Sequence, residues 1–403
     1  MPVPQHLRLV LALLALPGYA IAFTLPSLRP NPAWTYNQAI RVHVARIIVQ
    51  LLSIRRPVTR LSLLPGDEKN RFQLMAPVPA EYYIGCCSSH VDDKTTIRPA
   101  PVGATWYPHA PARSQITRAA TVILHFHGGG YVLGDGRDGD AGFAARCLLE
   151  ACTGRGTTEA CAGRGTTEAC TGRGTTEACT GRGTTYVVCP QYRLSGTPEG
   201  RFPAALQDGI TAYAHLVLER GIMPRSIVVS GDSAGGNLAL ALLRYLQHYS
   251  PAADLLLLPR LPPPGNLWLW SPWLNPLAAL QDPLAHDRSP NAPTDYTTGH
   301  FGRWSAEEAF APAVQKKEFN AYIHPLGNPF STSTPVFICA GECEVFLHDN
   351  LAFARQMQGL GNNTVRTFVI PNAPHDVLLM GDKIGFEAAA RLGAQAAVAQ
   401  SMT

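Results

Sequence analysis

Charge is scarce in this 403-residue chain, where 15% of the residues are Asp, Glu, Lys or Arg and 46% are hydrophobic. That balance excludes a disordered chain and leaves ample material for a large core. Neither sign of charge dominates: 33 Lys and Arg stand against 29 Asp and Glu, a net charge of +4. No basic cluster is interleaved with aromatics, so a nucleic-acid partner is not expected. Metal-type cysteine spacing is lacking too. Of the ten cysteines, Cys152, Cys161, Cys170 and Cys179 are one cysteine recurring at a nine-residue period. Counted once, that unit leaves an odd total with no zinc spacing, so buried or free thiols are expected, with neither a disulfide framework nor a metal site.

The recurring unit reads EACTGRGTT from Glu150, EACAGRGTT from Glu159, and EACTGRGTT again from Glu168 and Glu177. A solenoid needs every repeat to bury an apolar face against its neighbour, and this unit offers only Ala and Cys. It reads as a tandem-duplicated, solvated loop. Glu159 to Thr185 can be removed without loss of a core element.

Between Arg8 and Arg29 lie twenty uncharged residues, interrupted by Pro17, Gly18 and Pro26. Their length is near that of a bilayer span. Three readings stand side by side: a membrane anchor or interfacial segment acting through residues 9–28, a cleaved signal peptide ending in the small-residue pattern Ala20-Ile21-Ala22, and an apolar part of a cap. A membrane-associated, intracellular protein is the expectation, with secretion the alternative favoured by the sequon at Asn362. Residues 31–120 read as a peripheral, partly capping region. Within it Ile40, Val44, Ile47, Ile48 and Leu51 recur at helical spacing, and EYYIG and ATWYP have β-like composition.

The pattern changes at Thr121. Short apolar runs at 121–126, 185–192, 226–230, 267–270, 336–341 and 364–370 alternate with helical stretches at 141–150, 204–219, 234–248, 347–358 and 382–399. Apolar strands alternating with helices predict a doubly wound, mostly parallel α/β sheet covered on both faces, formed by residues 121–403.

Two motifs within that sheet carry chemistry. Gly231-Asp232-Ser233-Ala234-Gly235 is a G-x-S-x-G between a β-branched strand and an Ala/Leu-rich helix, the place of a serine on a sharp turn beside a helix N-terminus. His127-Gly128-Gly129-Gly130 closes the strand at 121–126, and glycines there let backbone N–H groups point into a cavity. Gly128, Gly129 and Ala234 are the expected donors to an oxyanion. Gly134 to Gly139 spells G-x-G-x-x-G, but its strand has already ended and no acidic residue follows at the right distance, so no dinucleotide is expected. Trp268 and Trp270 read as core residues. Trp273, Phe301 and Trp304 are candidates for an acyl pocket, and Arg193 reads as structural.

HGGG at 127–130, YRL at 192–194, FPAAL at 202–206 and GDSAGG at 231–236, in that order, resemble the hormone-sensitive-lipase-type family of α/β-hydrolases over roughly Thr121 to Met380. The resemblance implies an α/β-hydrolase fold and hydrolysis of small, uncharged carboxylic esters by a serine, histidine and acid triad, without metal or cofactor. Aligned on Gly341, the family's acid falls on Glu344, a glutamate where the family usually has aspartate; Asp349 and Glu342 are the alternatives. His375, in IPNAPHDVLLM, falls on the family's base. An amide or peptide hydrolase using the same triad, and a non-catalytic small-molecule receptor on the same fold, are the rival readings.

Overall fold

Along each central strand, side chains sort by parity into two separate cores. Val122, Leu124 and Phe126 belong to one and Ile123 to the other; Leu267 and Leu269 oppose Trp268 and Trp270, and Val336 and Ile338 oppose Phe337 and Cys339. A period of two with both parities apolar means a sheet buried on both faces. The computed structural model describes residues 5–88, 97–115, 120–154, 184–249, 261–311 and 313–401. In it the strands β1 (Phe72–Met75), β2 (Val102–Tyr107), β3 (Thr121–Phe126), β4 (Thr185–Gln191), β5 (Ile227–Asp232), β6 (Asn266–Trp270), β7 (Val336–Gly341) and β8 (Val365–Ile370) form one sheet. Their order is β1-β2-β4-β3-β5-β6-β7-β8. Pairing is antiparallel for β1 with β2 and β2 with β4, and parallel for the rest.

This is the α/β-hydrolase fold, with the doubly wound, mostly parallel sheet that the alternation predicts. From β3 the chain first adds β4 on one side and then β5 on the other, so the direction of winding reverses at β3. Ligands in open α/β sheets bind at such a reversal, beyond the strands' C-terminal ends. The glycine run after β3 and Ser233 after β5 therefore end side by side.

The structure revises the sequence reading in several places. β1 and β2 join the central sheet although they lie in the segment read as peripheral, and EYYIG forms short 3-10 turns (Ala80–Tyr82, Gly85–Cys87) in place of a strand. The closing helix is two helices, Val377–Ile384 and Glu387–Ser401, because Gly385 at φ +82° ends the first. The amphipathic stretch is the helix Tyr36–Arg55, opened by a capping box between Thr35 and Gln38. Before it, the helix Gln5–Ala22 packs through Tyr19, whose ring lies 4.3 Å from that of His43. It leaves Leu11, Leu13, Leu14 and Ile21 exposed. Among the described residues no helix is long and apolar enough to cross a membrane. Among the described residues Cys86, Cys87, Cys147, Cys189, Cys339 and Cys343 are free thiols, Cys86 and Cys87 lying 3.9 Å apart at sulfur.

The first copy of the repeat begins inside a helix, Gly142–Thr153, and the last copy ends in β4. Residues 155–183 between them lie outside the described residues. The connection enters β4 at its N-terminal end, opposite the edge that carries Ser233. Excising Glu159–Thr185 places Thr157 and Thr158 where Thr184 and Thr185 stood, so Thr121 regains its pairing partner in β4. We expect the excised protein to keep its turnover and its melting temperature; loss of turnover in a folded, soluble deletion protein contradicts this.

Candidate active site

Ser233 sits at φ +49°, ψ −113°, between β5 and the helix Ala234–His248. A non-glycine residue at that φ is strained, typically by about 1–3 kcal/mol, and persists only where its surroundings hold it. Here its N–H donates to Trp270 O at 2.8 Å, and its carbonyl accepts from Trp273 N–H at 2.9 Å. The flanking glycines are required by close approach: a Cβ on Gly231 would lie 2.2 Å from Gly235 O, and one on Gly235 would lie 2.0 Å from Phe126 O. The turn thus lifts the serine hydroxyl above the sheet edge.

His375 follows β8 in a tight loop, and its Nε2 lies 3.0 Å from Ser233 Oγ. Its ring is packed edge-on against Phe346 at 4.9 Å. On the far side, Glu344 Oε2 stands 3.7 Å from Nδ1, at ion-pair distance, and the carboxylate is fully buried. Glu344 is held by four donors: Ser271 Oγ and Gly341 N–H on Oε2, Asn350 Nδ2 on Oε1, and its own turn through Asn291 Nδ2 to Glu344 O. The two alternative acids are placed elsewhere. Glu342 is exposed and accepts from Asn372 N–H, while Asp349 pairs with Asn275.

Burial alone would lower the pKa of His375, but the Glu344 carboxylate 3.7 Å away and the nearby Asp295 outweigh it and hold the imidazole up at about 9. Asp295 escaped the sequence reading. It is fully buried, with its carboxylate accepting Thr297 N–H at 2.9 Å and Val345 N–H at 2.7 Å, and burial raises it. Ser271 was missed as well. At φ +44° its hydroxyl donates to Glu344 and accepts Asp376 N–H at 3.1 Å, tying the acid to the histidine loop.

The glycine loop is held from behind by the YRL segment. The Tyr192 ring stacks on His127 at 4.3 Å, and its hydroxyl donates to His127 O at 2.6 Å. Arg193 is consumed in structure, as expected: Nη2 bonds Asp208 at 2.8 Å, and Nη1 bonds Arg98 O at 2.9 Å. Among the described residues the N–H groups of Gly128, Gly129, Gly130 and Ala234 make no hydrogen bond to a backbone carbonyl. Ala234 N–H opens its helix, where the helix dipole also favours negative charge.

Gly128, Gly129, Gly130, Ser233 and His375 form the floor of one cavity of about 620 Å³. Its opposite wall is the helix Tyr36–Arg55, whose Ile40, Val44, Ile48 and Leu52 form one i, i+4 stripe along the cavity. The spacing was visible in the sequence; that the stripe covers a site was not. Trp273 and Phe301 line the cavity, but Trp304 is buried behind it. Arg41, Asp140 and Lys383 are the charged residues of the wall other than Asp376, and Lys383 pairs with Asp140 at 3.6 Å. Among the described residues no group of three His, Cys, Asp or Glu is placed to hold a metal ion.

Comparison with known proteins agrees with this fold. A family model described as the alpha/beta hydrolase fold matches residues 167–379, more than half of the chain. Over 208 residues the chain is 31% identical to Lipase 2 of Moraxella sp. (strain TA144), a stretch that makes up 47% of this chain and 46% of that protein. It is 29% identical over 207 residues to the ethyl acetate hydrolase of Pseudomonas putida, covering 49% of this chain and 58% of the other. The matched stretch thus spans about half the length of these relatives. A hormone-sensitive lipase from a metagenome library shares the fold, with a TM-score of 0.52 at 20% identity over 88% of this chain and 91% of the other.

Proposed function

Because the chain belongs to the alpha/beta-hydrolase family, we propose that it is a serine-dependent carboxylic-ester hydrolase acting on uncharged, lipophilic esters. The observation that carries this reading is the 3.0 Å approach of His375 Nε2 to Ser233 Oγ on the floor of an apolar cavity. Relatives named lipase and ethyl acetate hydrolase support it.

In the reaction Ser233 Oγ attacks the ester carbonyl as His375 Nε2 takes its proton. Glu344 fixes the imidazole with its proton on Nδ1 and stabilises the imidazolium that forms. The N–H groups of Gly128, Gly129 and Ala234 hold the oxyanion. His375 then protonates the leaving alcohol, and water attacks the acyl-enzyme through the same base. The residues named supply nucleophile, base and electrostatic stabilisation from the chain itself.

The cavity wall makes the acyl preference testable. Each buried CH₂ is worth about 0.8 kcal/mol, close to fourfold in kcat/KM. Across p-nitrophenyl esters from acetate upward, we expect kcat/KM to rise with chain length until the wall of Ile40, Val44 and Ile48 is filled. Val44→Trp, which fills that wall, is expected to lower kcat/KM for octanoate by about 10-fold or more while sparing acetate. Equal losses on both esters, or no turnover of any ester by folded wild-type protein, contradict the reading.

A further inference from the structure

We propose that Asp232 and Asp376, the neighbours of the nucleophile and of the base, share one proton across Gly128, carried on Asp376, and that this pair positions the glycine loop against Ser233 and His375. Only its effect on turnover rests on the ester-hydrolase reading.

The assignment follows from counting donors along a buried chain. Trp270 Nε1–H donates to Ser230 Oγ at 2.9 Å. That leaves the Ser230 hydroxyl proton for His125 Nδ1, 3.0 Å away. With Nδ1 accepting, the proton of the neutral His125 ring sits on Nε2, which lies 3.0 Å from Asp232 Oδ1. Burial keeps that ring neutral, at about 3. Asp232 Oδ1 therefore faces the His125 Nε2–H. A carboxylate that faces a neutral N–H is the ionised member.

Asp376 is placed to be the protonated one. Its Oδ1 accepts Leu379 N–H at 3.2 Å, while its Oδ2 has no other hydrogen-bond partner among the described residues. That Oδ2 faces the same point as Asp232 Oδ2: a Cβ built on Gly128 would lie 3.2 Å from the first and 2.5 Å from the second. Both side chains are fully buried, at 1% and 0% exposure. Two charges so placed would repel strongly, and one proton converts the repulsion into a hydrogen bond. Burial first, and then the Asp232 charge, hold Asp376 well above the usual carboxylate range. The other titratable groups facing the pair are His375, His125, Tyr296, Tyr192, Cys189 and Cys339. Burial keeps both tyrosines and both thiols protonated, so His375 is the one that can carry positive charge.

The pair joins three loops: the nucleophile turn through Asp232, the glycine loop through Gly128, and the histidine loop through Asp376. Both aspartates are positioning residues. The test compares Asp376→Asn, Asp376→Leu and Asp232→Asn in the full chain. Asparagine at 376 keeps an acceptor for Leu379 N–H and supplies a permanent donor to Asp232. Leucine supplies neither, whereas asparagine at 232 can turn its carbonyl to His125 and its NH₂ to an ionised Asp376. We expect Asp376→Leu to lose on the order of 10² in kcat with little change in KM, the scale of a misplaced oxyanion donor, and Asp232→Asn to lose much less. Asp376→Asn is expected to recover at least about 10-fold of that loss.

A second readout needs no turnover. Infrared difference spectra of wild type minus Asp376→Asn at neutral pH should contain the carbonyl band of a protonated carboxyl group. Absence of that band overturns the assignment, as does a folded Asp376→Leu with wild-type turnover. Should Asp376→Leu fail to fold, the infrared spectra decide the question on wild type and Asp376→Asn alone.

Discussion

Alanine at position 233 is expected to remove about 10⁴-fold or more of kcat toward p-nitrophenyl esters while leaving the protein folded. The size of the effect follows from the geometry. Ser233 Oγ is the hydroxyl 3.0 Å from the buried imidazole at the floor of the cavity, and without it no acyl-enzyme forms. The residual rate comes from the oxyanion donors and the cavity acting on water. His375→Ala should cost a similar factor, and the double variant little more, because the two groups act in one proton transfer and their effects do not add. Steady-state kinetics of the three variants, with melting temperatures to establish folding, check this. Losses that multiply in the double variant would show that serine and histidine act independently.

Glu344→Gln is expected to lower kcat by on the order of 10⁴, the scale seen when a triad acid becomes an amide. Two causes combine. The amide no longer stabilises the imidazolium, and its NH₂ is turned toward Ser271, Gly341 N–H or Asn350, all donors to the carboxylate. The same substitution has a distinctive pH signature. His375 works as a base only when neutral, so kcat/KM rises with pH through its pKa, which the surrounding carboxyls hold up at about 9. The acid limb of the wild-type profile should therefore lie above the ordinary histidine range, and removing the Glu344 charge should move that limb to lower pH. A limb that stays put in Glu344→Gln would detach Glu344 from the base and direct attention to Asp295, the other buried carboxylate acting on His375.

How much of this was legible in the sequence depends on whether the signal was local. The strands β3 to β7 announce themselves because both parities are apolar, and the serine turn because Gly231 and Gly235 must lack side chains. The strand β1, only four residues long, lacked the length for a periodic signal. Other features depended on partners distant in sequence. The stripe of Ile40, Val44 and Ile48 reads equally well as a helix packed on any core. Ser271 shows nothing in sequence of its link between Glu344 and the histidine loop. A charged residue directly beside a nucleophile, and another directly beside its base, was the overlooked clue to the pair of Asp232 and Asp376.

The central claim is that Ser233 is an activated nucleophile that carries the acyl group. It is tested most directly by intact-protein and peptide mass spectrometry after brief exposure to a p-nitrophenyl ester or a fluorophosphonate. A single adduct located on Ser233, absent from Ser233→Ala and strongly slowed in His375→Ala, is the predicted result. A folded wild-type protein that forms no adduct, or forms one on another residue, would contradict the account.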